Sequence, residues 1–190
     1  MIAVMAKLGP KILSMLAKVG PKALKSSAPA KAGLGAASVG VYSFLWTWEM
    51  ALILVAFILT HEYGHLRAMQ KCGLKTKGIY LIPGLGGAAI SGEGFKSARN
   101  EAYIALMGPA YGLFFVAGLF ALWAYTGNIV WVGFASIVTF INFINLAPIN
   151  PLDGGRVVKS LLYSFNAPAA FSVMMVIGLG TIWLGLAYGL

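Results

Sequence analysis

Apolar and polar positions divide the chain into long apolar runs separated by short segments rich in glycine, proline and charge. The runs predict membrane-spanning helices at about 41–69, 101–126, 129–147 and 167–190, because a helix needs ~20 apolar residues to cross the hydrocarbon core. The fold class predicted is therefore an α-helical polytopic membrane protein with about four transmembrane helices.

A fifth apolar stretch, residues 78–90, is too short and too rich in glycine and proline to span the bilayer as a helix. Extended backbone facing lipid would leave polar groups unpaired, so the segment must pack against protein or line a cavity. It predicts a small membrane-embedded β-hairpin or re-entrant loop, with a plain surface loop as the alternative.

The N-terminal region differs from the rest of the chain because it carries lysines and no acidic residue. The pattern Lys-x-Gly-Pro-Lys begins at Lys7 and again at Lys18, with an apolar stripe between the two copies. This predicts an amphipathic segment lying on the membrane, followed by a linker at 26–38. The domains predicted are a basic N-terminal segment and linker (1–38), a core (39–165) and an additional transmembrane helix (166–190).

Composition supports a membrane setting and narrows the partners. The chain is 59% hydrophobic and 10% charged, against about 25% charged for soluble domains. Its net charge of +9 is compatible with nucleic acid, but the basic residues flank apolar segments, where they would meet anionic headgroups. We therefore expect the lipid bilayer as a partner and no nucleic acid. Cys72 is the only cysteine, which excludes an intrachain disulfide.

The chemistry is concentrated in the sequence His-Glu-Tyr-Gly-His at 61–65, which holds both histidines of the chain. On a helix His61 and His65 lie one turn apart, so both rings can bind one zinc ion while Glu62 reaches a water on it. The alternative is a chance match with two exposed rings. Trp48 suits a membrane interface, and the 13 residues from it to His61 rise roughly 20 Å, which leaves His61 about 10 Å beneath the opposite face.

Asp153, the only aspartate, is the candidate third ligand. The predicted helices cross the bilayer so that the third one returns to the face where His65 emerges, and a catalytic zinc takes three protein ligands and a water. The alternatives for Asp153 are a helix cap or a partner for Arg156. Basic residues after the motif, such as Lys71 and Lys75, indicate that this face is cytosolic.

Taken together, these motifs resemble the site-2 proteases, the intramembrane zinc metalloproteases. The resemblance covers about 41–159 and includes the histidine motif, Gly86-Gly87, Gly108-Pro109 and the run 145–154, Asn-x-x-Pro-x-x-Pro-Leu-Asp-Gly. It implies a compact form without PDZ or CBS domains. One departure is Gly112, where many members carry asparagine.

The resemblance also implies residue roles. His61, His65 and Asp153 would bind one Zn²⁺ per chain, Glu62 would be the catalytic base, and Asn145 would steady the oxyanion or the substrate carbonyl. The hairpin around 81–89 would receive the substrate as an added strand, with the substrate-binding residues Leu85, Gly86, Gly87 and Ala88.

The predicted function is intramembrane hydrolysis of peptide bonds in transmembrane segments, with single-span membrane proteins as substrates. The expected location is a prokaryotic cytoplasmic membrane, crossed several times, with the active site near the cytosolic side. Two alternatives stay open: an inactive relative that only binds membrane helices, and a zinc transporter. A transporter would need ligands along a path and usually repeated halves, whereas here the ligands form one cluster.

Overall fold

The computed structural model describes residues 28–165 together with residues 172, 175 and 176. The predicted amphipathic segment before residue 28 lies outside the described residues, as does the predicted helix at 167–190 apart from those three positions. The elements run in the order α1 (Ala28–Leu45), α2 (Trp48–Lys71), β1 (Thr76–Ile82), β2 (Gly86–Ser91), α3 (Ala98–Thr126), α4 (Val130–Asn145) and α5 (Asp153–Phe165).

The first predicted span is wrong in one respect, because 41–69 is not a single helix. The chain breaks at 46–47, so its first residues belong to α1 and the remainder to α2. Thr47 is extended and caps α2, since its side chain accepts a hydrogen bond from Met50 N at 3.3 Å. A capping threonine before an apolar run satisfies an otherwise unpaired N–H group and favours a new helix start.

The predicted linker at 26–38 is also wrong from Ala28 onward, because α1 begins there. The stretch is rich in alanine, the strongest helix former, and Pro29 lies in the first turn, where a missing N–H costs nothing. Packing stabilises the helix as well: Gly35 lies against the Leu81 side chain of β1, and Lys31 Nζ donates to Lys77 O at 3.2 Å.

The hairpin predicted after the histidine motif is confirmed. β1 and β2 pair antiparallel, with Tyr80 opposite Ala88 and Ile82 opposite Gly86, and the register shifts near Gly78. Gly84 has a φ of 79°, a left-handed conformation that glycine adopts without steric cost, and it turns the chain between the strands.

The following two helices also agree with the sequence. α3 starts three residues earlier than predicted, because the Ser97 side chain accepts a hydrogen bond from Asn100 N at 3.2 Å and caps it. Gly127 ends α3 with a φ of 67°. Among the described residues, α3 alone is both long and apolar enough to cross a bilayer, while α4 is apolar but shorter.

Sequence reasoning missed α5. The two prolines and the glycine pair at 148–155 predict a chain turn, yet Asp153 is the first residue of a 13-residue helix. Gly154 and Gly155 let that helix start against the preceding turn: a Cβ on Gly154 would lie 2.0 Å from Leu146 O, and one on Gly155 would lie 2.4 Å from the Ile149 carbonyl carbon.

Helices α2 and α3 form the centre of the fold, with α1, α4 and α5 packed around them and the hairpin between α1 and α2. The larger apolar cluster joins the N-terminal half of α2, with Phe57 and Ile58, to the C-terminal half of α3 and to α4. A smaller cluster joins Met69 of α2 to Ile104 of α3. The histidine motif lies on α2 between these clusters, so both its ends are held by packing.

Candidate metal centre

Helix α2 presents both histidines to the protein interior. His61 and His65 are each 4% exposed, and their rings meet edge to face with centroids 4.9 Å apart. The two Nε2 atoms lie 3.2 Å from each other. The alternative interpretation, two rings exposed on a helix surface, is therefore excluded.

Asp153 completes the cluster from the start of α5. Its Oδ2 lies 3.0 Å from His61 Nε2 and 3.1 Å from His65 Nε2. Its other oxygen, Oδ1, lies 3.5 Å from Arg156 Nη1. The two interpretations of Asp153 as a ligand and as a partner of Arg156 are thus compatible, because each uses a different oxygen.

The second nitrogen of each ring determines which tautomer the histidine adopts. His65 Nδ1 lies 2.8 Å from Ile104 O, and a carbonyl only accepts, so Nδ1 carries the proton. His61 Nδ1 lies 3.3 Å from Asn142 Oδ1 and likewise donates. In the neutral rings both Nε2 atoms are then the unprotonated nitrogens, and their lone pairs face Asp153.

The chemistry of this donor set fits a cation. Three buried lone-pair atoms converge at 3.0–3.2 Å, and protonating both Nε2 atoms would set two N–H groups against each other. Tetrahedral zinc with bonds of 2.0–2.1 Å would place its ligands about 3.3 Å apart. His61, His65 and Asp153 form the one such group found in the described part of the chain that could hold a metal ion.

Helix α3 approaches this cluster so closely that two glycines are required. A Cβ on Gly108 would lie 2.2 Å from His65 Nε2 and 2.7 Å from His61 Nε2. A Cβ on Gly64 would lie 2.3 Å from Met107 O, where α2 and α3 cross. Small residues at such a crossing let two backbones pack closely.

Glu62 lies beside the cluster and contacts the hairpin. Its Oε2 accepts a hydrogen bond of 2.7 Å from Ala89 N of β2. Gly87 passes directly over the side chain, since a Cβ there would lie 2.7 Å from Glu62 Cγ and 2.8 Å from Ile58 Cγ2. The second carboxylate oxygen is left to act on a proton.

The three candidate ligands and Glu62 open onto one cleft of about 710 Å³. Its floor includes the three candidate ligands and Glu62. One wall is the hairpin tip with Leu85, Gly86, Gly87 and Ala88, the residues that the resemblance assigned to substrate. Asn145 also lines the cleft, together with Tyr42 and Trp46 from the chain before α2. The cleft thus brings together every predicted site residue, while their roles stay predictions.

Three contacts at the site were missed by sequence reasoning: Asn142, the Ile104 carbonyl, and the Ala89 N–H. A backbone group leaves no trace in a sequence. Asn142 does leave one, because a polar residue inside an apolar run is costly and usually has a role.

Comparisons with known proteins find similarity to metalloproteases. Residues 49–128 match the model of peptidase family M50. A candidate zinc metalloprotease of Synechocystis sp. is 31% identical over 149 residues, covering 73% of this chain and 38% of that protein. Stage IV sporulation protein FB of Bacillus subtilis is 27% identical, covering 68% of this chain and 49% of that protein. The chain thus spans about half or less of the length of these relatives.

A solved structure shows the same fold. The site-2 protease from Methanocaldococcus jannaschii superposes with a TM-score of 0.60 at 21% identity, covering 82% of this chain and 76% of that one. Residues 49–128 thus resemble peptidase family M50, and the chain shares the fold of a site-2 protease.

Proposed function

We propose that this protein is an intramembrane zinc metalloprotease that hydrolyses peptide bonds in the transmembrane segments of membrane proteins. The observation that carries the proposal is the convergence of His61, His65 and Asp153 within about 3 Å of one another, beside Glu62, at the floor of the cleft. Three ligands leave a fourth position for water or substrate, which is typical of catalytic rather than structural zinc.

Zinc bound by these ligands would lower the pKa of a coordinated water to about 7 and polarise the scissile carbonyl. Glu62 is the general base that takes the proton of the attacking water and passes it to the leaving amine. The hydrogen bond from Ala89 N holds one oxygen of Glu62 in place, and a fixed carboxylate loses less orientational freedom on reaction.

Asn145 is the candidate group for stabilising the oxyanion. It is the last residue of α4 and lines the cleft with the three ligands. An amide N–H aimed at the oxygen that gains charge stabilises the transition state more than the ground state.

The hairpin supplies a main-chain edge for an extended substrate. In an antiparallel pair, successive residues of a strand point their N–H groups to opposite sides. Because Ala89 N–H points away from β1 towards Glu62, the N–H and carbonyl of Gly87 point the same way. A helical substrate hides its carbonyls in its own hydrogen bonds, so it must unwind before pairing with this edge as an added strand.

The setting proposed is a cytoplasmic membrane, crossed several times, with the cleft nearest its cytosolic side. Support comes from the length and apolar composition of α3 and from the basic residues that follow the motif, among them Arg67 and Lys77.

The decisive experiment is co-expression of the protein with candidate single-span substrates, comparing wild type with Glu62→Gln. The variant keeps the shape of the side chain and the hydrogen bond to Ala89, so we expect zinc content to be retained and cleavage to stop. Asp153→Ala is the matched variant that we expect to lose zinc, measured by elemental analysis. Undiminished cleavage by Glu62→Gln would overturn the proposal; zinc binding without cleavage in wild type would favour an inactive relative.

A further inference from the structure

Asn142 is a fully buried polar residue in the apolar helix α4, with 2% of its surface exposed. Its side chain connects three helices: Oδ1 lies 3.3 Å from His61 Nδ1 on α2, and Nδ2 donates to Pro109 O on α3 at 3.0 Å. It does not line the cleft.

The orientation of the amide follows from its partners. Pro109 O is a carbonyl and can only accept a hydrogen bond, so the NH₂ end of Asn142 must face it. The oxygen end must then face His61, which places a proton on Nδ1 and, in the neutral ring that binds a metal, leaves the Nε2 lone pair directed at Asp153.

Helix α3 leaves a notch for this side chain at Gly112. A Cβ on Gly112 would lie 2.5 Å from Asn142 Oδ1, 2.9 Å from its Cγ and 3.1 Å from its Nδ2. Any larger residue at 112 would displace the whole amide, not one flexible end of it.

We propose that Asn142 is the positioning residue that sets the tautomer and orientation of His61 as a metal ligand, and that Gly112 provides the space this requires. The inference deepens the proposed function and rests on its metal site. Partners of the second ring nitrogen orient ligand histidines, and their loss typically weakens metal affinity by ~10–100-fold.

The test measures zinc affinity of the purified full chain by competition with a chelator. We expect Asn142→Ala to bind zinc ~10–100-fold more weakly than wild type. Asn142→Asp loses the donor to Pro109 O but keeps an acceptor for Nδ1–H and makes it a charged, stronger one, so it should restore most of the affinity. A residue that merely packs the helices together would give the opposite order, because a buried carboxylate facing a carbonyl is the more disruptive change.

The matched control is Thr139→Val on the same helix. Its hydroxyl is buried and has no hydrogen-bond partner among the described residues, so the change should leave zinc affinity within about twofold. Gly112→Ala should weaken binding, but added to Asn142→Ala it should cost little more, because the side chain it collides with is gone. If the losses of zinc affinity in the two single variants simply add in the double variant, Gly112 does not provide the space for Asn142.

A second readout does not depend on zinc. The chain has two histidines, so labelling histidine with ¹⁵N reports the two rings of the site alone. In zinc-free protein Asn142→Ala should change the Nδ1 and Nε2 signals of His61 and leave those of His65, which is held by Ile104 O. Unchanged His61 signals in Asn142→Ala, or a zinc affinity of that variant within twofold of wild type, would overturn the inference. A wild-type protein that binds no zinc would instead overturn the proposed function, and the tautomer of His61 could still be tested.

Discussion

The two walls around Glu62 and the candidate ligands are built in opposite ways. The helical wall, formed by Ile104, Gly108, Pro109 and Asn142, is buried and contacts the rings through directed hydrogen bonds and a close backbone approach. The hairpin wall, residues 85–89, is partly exposed, carries small side chains except for Leu85, and reaches the site through a single hydrogen bond from Ala89 N.

This difference separates two requirements of the proposed reaction. A metal site needs ligands held to within a few tenths of an ångström, which close packing and saturated hydrogen bonds supply. A strand-binding surface needs unpaired main-chain groups and room for varied side chains. Damage to the helical wall should therefore remove zinc, and damage to the hairpin wall should impair cleavage while zinc stays bound.

The largest effect is expected from Gly108→Ala. The new Cβ would lie 2.2 Å from His65 Nε2, so α2 and α3 must separate, and overpacking of this kind costs about 1–3 kcal/mol. We expect loss of zinc, loss of cleavage and a lower thermal unfolding temperature. Gly118→Ala on the same helix is the control, since nothing lies within 4 Å of its Cβ. Retained zinc in Gly108→Ala would contradict the close approach.

An intermediate effect is expected from Gly87→Ala in the hairpin wall. The methyl group would push β2 away from Glu62 and Ile58, and displacing a reacting group by about 1 Å can lower the rate ~10²-fold. Zinc affinity should stay within about twofold of wild type, because no ligand moves. Gly94→Ala, with open space around its Cβ, should match wild type in both measurements. A large loss of zinc would mean that the two walls are not independent.

The smallest effect is expected from Lys159→Met. Lys159 Nζ lies 3.2 Å from Glu101 Oε1, with 43% of the lysine side chain and 14% of the glutamate side chain exposed. Water at the lysine end screens the pair, so we expect it to contribute about 1 kcal/mol. Unfolding temperature should fall slightly, with zinc binding and cleavage unchanged. By comparison, Gly155→Ala should lower the unfolding temperature strongly, because its Cβ would collide with the backbone at Ile149. A large fall in unfolding temperature in Lys159→Met would show that α5 is held by the ion pair and not by the close packing of the glycines at its start.

Much of the site was predictable because its chemistry lies in side chains with few alternatives. The spacing of His61 and His65 on a helix and a single aspartate after a returning apolar run were enough to predict the group that the structure brings together. The hairpin was predictable from a different constraint, since a short apolar segment rich in glycine has no stable helical solution in lipid.

The parts that were not predictable depend on local capping and on contacts between distant segments. The start of α2 is decided by Thr47, a cap that apolar periodicity does not reveal. The departure from the family pattern at Gly112 had no explanation in the sequence, and the structure supplies one: Asn142 occupies the space beside it from another helix. The sequence predicts Asp153 as a ligand, with a helix cap or a partner for Arg156 as alternatives, but its position as the first residue of α5 depends on the path of the chain after it.

The positions of several contacts around the candidate metal centre are set by the spacing of residues along helix α3. Glu101 faces α5, Ile104 O receives His65, Gly108 lies against both rings, and Pro109 O and Gly112 accommodate Asn142, so these positions fall at helical spacing along one stripe. Each residue advances a helix by about 100°. Inserting one residue between Glu101 and Gly112 would therefore rotate all the contact residues that follow the insertion away from their partners at once. Substitutions on the outward face of α3, at Phe114 or Tyr125, leave the spacing of these contact residues unchanged. Helix α3 should therefore tolerate changes of residue type on its outward face, but no change of length between Glu101 and Gly112.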